Sequence, residues 1–293
     1  MTVRVPRIPS PGETALGRDF RITAGGKGAN QAVAAARAGG TVVFVTSLGT
    51  DDFGDRALEN LAREKIDVDL VRRVPGAPSG VALICVDDRG ENSIAVASGA
   101  NGELRPEDVE PLARVLGQGD VVLLQLEIPL QTVEAAARLA ATCEARLILN
   151  PAPARMLPDT LLSHVSLITP NEGEARKLTG VDVRDEVALP RAAAALHERG
   201  VRDVVVTLGA RGVFVSADGQ SELVPACRVN VVDTTAAGDV FNGSLAVALV
   251  EQRPLGVAVR FASAAAALSV TRMGAQASAP WRAEIETFLR EHH

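Results

Sequence analysis

A chain of 293 residues, 47% of them hydrophobic, can build one large α/β domain or two of ordinary size, and its ample core excludes a disordered chain. A net charge of −6 and a pI near 5.4 argue against a nucleic-acid or anionic-membrane partner, because such surfaces require a basic face. No stretch approaches the roughly 18 apolar residues of a membrane span, and with no Tyr and a single Trp, Trp281, there is no aromatic platform for stacking bases. Cys85, Cys143 and Cys227 are odd in number and set in apolar runs, which reads as buried thiols in a reducing compartment, with the cytoplasm as the default. His164, His197, His292 and His293 show no metal-ligand spacing and read as solvated.

In chain order, Val3 and Val5 alternate with polar residues ahead of a Pro/Gly turn at Pro9 to Thr14, and Phe20 and Ile22 read as a short strand. Ala24 to Asn30, AGGKGAN, reads as a glycine turn before an alanine-rich helix from about Gln31 to Ala38. Because Lys27 is followed by Gly28, it is not a Walker loop. VVFVTSLG after Thr41 and an amphipathic helix from about Phe53 to Lys65 begin a strand–helix alternation, which predicts a mainly parallel sheet with helices on both faces. The alternation breaks between Gly80 and Ser98. There GVALICVD and NSIAVAS, joined by Asp88-Arg89-Gly90-Glu91, read as a hairpin that forms a small second sheet with the strand near Phe20.

After Pro106 the alternation resumes, with strands expected from Val121 to Glu127, Arg146 to Asn150, Ser166 to Thr169, Val204 to Gly209 and Val213 to Ala217. Glu127 ends an apolar strand just before Pro129; at the carboxyl end of a parallel strand it can reach a ligand, and a solvated loop carboxylate reads the same. Asn171 reads as the N-cap of a helix with Glu174 as its capping-box partner. The turn Thr207-Leu208-Gly209-Ala210-Arg211-Gly212 offers backbone N–H groups and Arg211 to phosphates, or simply closes a hairpin. The chain ends in an alanine-rich helical stretch, Pro254 to Arg272, and a tight loop, Arg272 to Ser278.

The most informative stretch is Val232 to Leu245, VDTTAAGDVFNGSL. A β-branched run (Val229, Val231, Val232) stops at Asp233, and the small-residue turn Ala236-Ala237-Gly238 opens a helix with Asp239 in its first turn. The first N–H groups of a helix lack intrahelical partners and carry the positive end of its dipole, so a phosphate fits on Ala236, Ala237 and Gly238. Asp239 beside it is placed to take a proton from an attacking hydroxyl. Asp233 and Thr234 as plain helix caps, with Gly238 an ordinary turn glycine, is the reading without chemistry.

DTTAAGDVFNG resembles the C-terminal signature of the ribokinase (PfkB-type) sugar kinase family. GGKGANQA (Gly25 to Ala32), NPAPA (Asn150 to Ala154), TPNEGEARKLTG (Thr169 to Gly180) and TLGARG (Thr207 to Gly212) resemble it in the same order, over about Arg4 to Leu289. The resemblance implies a three-layer α/β fold of one domain, 1–293, with a β lid over the sugar built from about 3–25 and 80–98, and a homodimer formed through that lid. It implies ATP-dependent phosphorylation of D-ribose at O5, with another pentose, deoxyribose or a nucleoside as alternative acceptors. A catalytically impaired sugar- or nucleotide-binding protein is the alternative of another class.

Carried over residue by residue, the likeness implies Asp239 as base, with the Ala236, Ala237 and Gly238 N–H groups receiving the phosphoryl charge. Gly26, Lys27, Asn30, Glu127 and Asp239 would contact the sugar. Asn171, Thr207 to Gly212, Gly238 and Ser263 would contact ATP, and Glu174 would hold Mg²⁺ through its water shell. Asp233, Thr235, Ser269, Arg272, Gly274 and Ser278 would hold a monovalent cation, K⁺, largely through backbone oxygens.

One departure stands out. The family ordinarily opens with an apolar strand and a Gly-Ser-x-Asn-x-Asp turn that holds sugar hydroxyls, and Met1 falls immediately after that position. A main-sheet strand of about 5–6 residues and two sugar anchors are therefore expected to be missing, each lost hydrogen bond costing about 0.5–1.5 kcal/mol. The chain as written is expected to show weaker ribose affinity and lower stability than one carrying such a segment, which KM for ribose and the melting temperature of both forms would check.

Overall fold

The computed structural model describes residues 1–292; His293 lies outside the described residues. The chain opens with β1 (Thr2–Arg4), β2 (Asp19–Arg21), α1 (Lys27–Arg37), β3 (Thr46–Gly49), α2 (Asp52–Arg63), β4 (Val71–Val74), β5 (Val81–Val86) and β6 (Asn92–Ala97). It continues through α3 (Pro106–Val109), β7 (Val121–Leu124), α4 (Leu130–Thr142), β8 (Arg146–Leu149), α5 (Asp159–Leu162), β9 (Leu167–Ile168) and α6 (Glu172–Thr179). It closes with α7 (Leu189–His197), β10 (Asp203–Thr207), β11 (Val213–Ala217), β12 (Gln220–Val224), α8 (Ala237–Val250), α9 (Leu255–Ser269) and α10 (Arg282–Glu291).

The main sheet has the order β12-β11-β10-β9-β8-β7; β7 to β10 run parallel and β11 and β12 antiparallel. Strands β7 to β11 are apolar on both faces, as a sheet covered on both sides requires, and only the edge strand β12 is largely polar and exposed. Ile148, Leu167, Val205, Val213 and Val215 pack with α1, α8, α9 and α10, whereas Leu147, Leu149, Ile168, Val204, Val206 and Phe214 pack with α4 to α7. Two-residue alternation thus splits one set of strands between two cores and gives the three-layer fold, each fully buried Leu or Ile contributing about 1.5–3 kcal/mol. β7 ends at Leu124, short of the strand expected to reach Glu127, and the parallel strands bring Glu127 in the loop after β7, Asn150 and Thr169 just after β8 and β9, and Thr207 at the end of β10 to the same end of the sheet.

A second sheet has the order β2-β1-β5-β6, with β1 parallel to β5 and the outer pairs antiparallel. The alternation around Val3 becomes its second strand, and Phe20, Leu83, Ile94 and Val96 stand exposed on it. The strand read from Val42 begins only at Thr46, Val43 making a single bridge to Asp67; β3 pairs with β4 alone. The sheet implied by the alternation is therefore divided, and a cleft of about 2230 Å³ runs between Val43 and Val45 on one side and Val121 and Leu123 on the other, continuing to Gly26 and Asp239.

Other elements differ from the sequence reading for local reasons. Lys27 to Asn30 form the first turn of α1 rather than a loop, because Gly26 at φ 90° turns the chain straight into the helix. The two strands missing from the sequence reading, β4 and β12, carry VRRV and QSELV, whose polar residues mask the apolar signal. Val229 to Val232 form no strand; Val231 and Val232 are exposed, and the Val232 N–H donates to Val270 O at 2.7 Å. The three thiols are unpaired and half-buried rather than buried, and burial pushes the Cys227 thiol up.

Close approach of α1 to α8 fixes the site. Both helices are small-residue rich on the facing side, and a Cβ on Gly243 would meet the Gln31 carbonyl, would lie 2.8 Å from Ala34 Cβ and 2.9 Å from Ala35 N. Gly243→Ala is expected to lower stability by about 1–3 kcal/mol through overpacking, in spite of alanine's better helix propensity. Thermal melts check this, and an unchanged melting temperature would show that the two helices can part at no cost.

Candidate active site

Helix α8 begins where its sequence predicts, and its first turn is unusual. Ala236 precedes it at φ 60°, a left-handed conformation that a non-glycine residue adopts at a cost of roughly 1 kcal/mol or more. That backbone turns the helix N-terminus into the cleft. The Ala237 N–H folds back to Thr234 O at 3.2 Å, whereas among the described residues the Gly238 and Asp239 N–H groups have no partner. The anion-facing donors therefore include Asp239's own N–H, which the sequence reading did not include, and lean less on Ala237. A Cβ on Gly238 would meet nothing within 4 Å, so the space above the turn is open to a ligand.

Asp239 is 6% exposed, and its carboxylate accepts from Asn30 Nδ2 at 2.8 Å and from Gln31 Nε2 at 3.1 Å. Burial pushes its pKa up; Lys27 and the two amide donors pull back, while Glu127 adds to the rise. A carboxylate so placed is a stronger base than one in water, yet stays bound to donors that select its ionised form.

On the proposed sugar side, Glu127 Oε2 accepts the Lys27 N–H at 2.8 Å, so this carboxylate clamps the Gly26–Lys27 turn to the end of β7. Asn30 Oδ1 is buried without a protein partner, an acceptor left for a ligand hydroxyl. Gly25, Gly26, Lys27, Asn30, Glu127 and Asp239 all line the one cleft.

On the proposed nucleotide side, both bonds of the Asn171–Glu174 capping box are present, at 2.8 and 2.9 Å. Burial raises the Glu174 carboxyl above the usual carboxylate range. The Thr207–Gly212 turn is more self-contained than its sequence suggests. Thr207, Leu208, Arg211 and Gly212 donate their N–H groups to Pro170, Gly212, Leu208 and Gly209, and among the described residues only Gly209 and Ala210 keep theirs free. Arg211 is held by Glu172 and by the carbonyls of Val183 and Arg184, with Glu186 3.7 Å away, because this loop packs on the start of α6. Its Nη1 and Nη2 are thus engaged within the protein, while the side chain stays 32% exposed. Ser263 Oγ, on α9, is buried with no partner.

The segment around Asp233 is laced to the loop after α9. Asp233 Oδ2 accepts the Gly274 N–H at 2.8 Å, and Oδ1 accepts from Thr235 N–H and Oγ1 at 2.9 and 2.6 Å. Burial pushes the Asp233 carboxyl up, but these hydrogen bonds outweigh it and hold it below the usual range. The hydroxyls of Ser269 and Ser278 donate to Ala266 O and Ala275 O and keep their oxygen lone pairs, whereas the Arg272 guanidinium pairs with Glu284 and could serve a cation only through the backbone oxygen of Arg272. Among the described residues no cluster of three His, Cys, Asp or Glu side chains forms a metal site. One carboxylate amid loop carbonyls suits a weakly held monovalent cation better than a divalent one. His197 and His292 are hydrogen-bonded to carbonyls and take no part in the cleft.

Residues 2–282 match the family model described as pfkB family carbohydrate kinase. The chain is 47% identical over 290 residues to a ribokinase of Haemophilus influenzae, covering 99% of this chain and 94% of that protein. The solved structure of a Thermotoga maritima ribokinase superposes with a TM-score of 0.90 at 39% identity, covering 99% and 95% of the two chains. The Arabidopsis thaliana ribokinase complexed with ribose and ATP superposes with a TM-score of 0.91 at 34% identity, with the same coverage.

Because the folded-state pKa of Asp239 lies above its unfolded value of about 3.9, its contribution to stability is full below that value and is lost as pH rises through the folded pKa. Asp239→Asn removes this dependence, and Asn30 can rotate its free Oδ1 toward the new amide nitrogen. The melting temperature of Asp239→Asn relative to wild type is expected to rise between pH 4 and pH 8, whereas a constant difference would mean that the buried carboxylate carries no desolvation penalty.

Proposed function

Since the chain belongs to the pfkB family of carbohydrate kinases, we propose that it transfers the γ-phosphoryl group of ATP to O5 of D-ribose, giving D-ribose 5-phosphate. The observation that carries this reading is the placement of Asp239: a buried, doubly hydrogen-bonded carboxylate beside a helix N-terminus whose N–H groups are free. Asp239 takes the proton of the attacking hydroxyl. The Gly238 and Asp239 N–H groups, with the dipole of α8 behind them, receive the charge on the transferring phosphoryl group. Such catalysis is largely positioning and charge stabilisation.

Gly26, Lys27, Asn30 and Glu127 line the cleft next to Asp239 and bind the sugar. The free Gly209 and Ala210 N–H groups, Asn171 and the unpartnered Ser263 hydroxyl serve the nucleotide. Asn171 and Glu174 would hold the water shell of Mg²⁺, which supplies charge neutralisation on the phosphates. Asp233, with the loop through Gly274, would hold K⁺, which would steady the turn that leads into Ala236. The exposed apolar side chains of Phe20 and Leu83, on the face of the lid sheet turned away from the cleft, suit a homodimer in which a second copy covers that face. The free thiols suit a reducing, cytoplasmic setting. No helix is long and apolar enough to cross a membrane.

The test is ATP-dependent phosphorylation across pentoses, deoxyribose, hexoses and nucleosides, with and without K⁺. Ribose-selective turnover is expected, falling by about 10²–10⁴-fold in Asp239→Asn. Ribose and ATP binding without turnover would favour a binding protein, and undiminished turnover in Asp239→Asn would remove Asp239 from the chemistry.

A further inference from the structure

Behind Asp239 lies a run of buried polar side chains that the proposed chemistry does not use. Gln31, Asn150, Thr169 and Asn242 are 2%, 7%, 1% and 1% exposed, on α1, the ends of β8 and β9, and α8. Asn150 Nδ2 donates to Thr169 O at 3.2 Å. A carbonyl can only accept, so the amide of Asn150 has one allowed orientation, with Oδ1 turned to Gln31. Gln31 must then present Nε2, which donates to Asn150 Oδ1 at 3.1 Å and to Asp239 Oδ1 at 3.1 Å.

From the other side of the same residue, Thr169 Oγ1 donates to Asn242 Oδ1 at 2.6 Å, and Asn242 Nδ2 donates to Gly238 O at 2.8 Å. Both arms run one way. Each is polarised by a backbone carbonyl that cannot be reversed, and both meet at Thr169.

We propose that Gln31 is a positioning residue for phosphoryl transfer. A one-way chain anchored on the Thr169 carbonyl fixes its amide nitrogen as a permanent donor to Asp239, while the Thr169–Asn242 arm ties the same hub to the turn that receives the phosphoryl charge. The base and the anion-facing turn are thus registered to one buried threonine. An ionised carboxylate is an acceptor only, so a donor that cannot flip holds Asp239 in the form that takes a proton.

The inference rests on Asp239 as the base, and the experiment separates the two. kcat and kcat/KM for ribose are measured against pH for wild type, Gln31→Met, Asn150→Leu and Asp239→Asn, with melting temperatures alongside. Other charges near Asp239 are Lys27 on α1, Glu127 after β7 and Glu174 on α6; all are retained in every variant, so a moved pH limb reports the altered amides.

In Gln31→Met, kcat is expected to fall on the order of tenfold or more, the acid limb to move to higher pH, and KM for ATP to stay within about twofold. Asn150→Leu leaves Gln31 present but free to flip, so the limb should move the same way by less; it carries the test if Gln31→Met does not fold. An acid limb at the wild-type position in the folded variants, with activity falling only in step with melting temperature, would overturn the proposal. Full turnover in Asp239→Asn would instead overturn the base assignment, and the proposal with it.

Discussion

Gly243 lets α1 lie so close on α8 that the Gln31 carbonyl and the Ala34 and Ala35 atoms occupy the space where a side chain would be. From that approach the rest follows. It brings Asn30 and Gln31, more than two hundred residues away in the chain, within hydrogen-bonding distance of both oxygens of Asp239. It also buries the carboxylate. A buried acid without donors would protonate, and donors without burial would leave a weak base in water; the helix contact supplies both.

The strained turn at Ala236 belongs to the same arrangement. A left-handed alanine is unfavourable by itself, and it is held because the segments on either side are pinned, Asp233 to the Gly274 loop and α8 to α1 and α9. The result is a helix N-terminus whose second and third N–H groups face an open cleft. On the other wall of the cleft, the Lys27 N–H donates to Glu127 and ties the start of α1 to the loop after β7. Rigid walls suit phosphoryl transfer, where most of the barrier is lowered by placing charge rather than by covalent chemistry.

Sheet topology explains why these pieces share one end of the molecule. Parallel strands deposit their carboxyl ends on the same edge, so Glu127, Asn150, Thr169 and Thr207 gather there without any pairwise attraction among them. Helices α1 and α8, packed on one face, add their N-termini. The second sheet, with β1 between β2 and β5, stands over this edge with residues such as Thr2, Ile84, Ile94 and Val96 in the cleft lining, while Phe20 and Leu83 stand exposed on its other face.

The sequence by itself determined whatever depends on neighbours along the chain. Strand–helix alternation implied the three-layer fold, Ala236-Ala237-Gly238-Asp239 implied a helix start with an acid in its first turn, and Asn171 with Glu174 implied a capping box that is present. Such features follow from local sterics and from orphan N–H groups, which a few consecutive residues specify.

Tertiary structure alone decided which polar groups are already occupied. Arg211 looks free for phosphate in its turn, yet Glu172 and two carbonyls capture it; most N–H groups of Thr207 to Gly212 are satisfied within the protein. Gln31, a lone amide on an alanine-rich helix, is held as a donor to Asp239 because β8 and β9 end beneath it. Hydrogen bonds between residues a hundred or more apart depend on how helices and strands pack, and no local pattern records that packing.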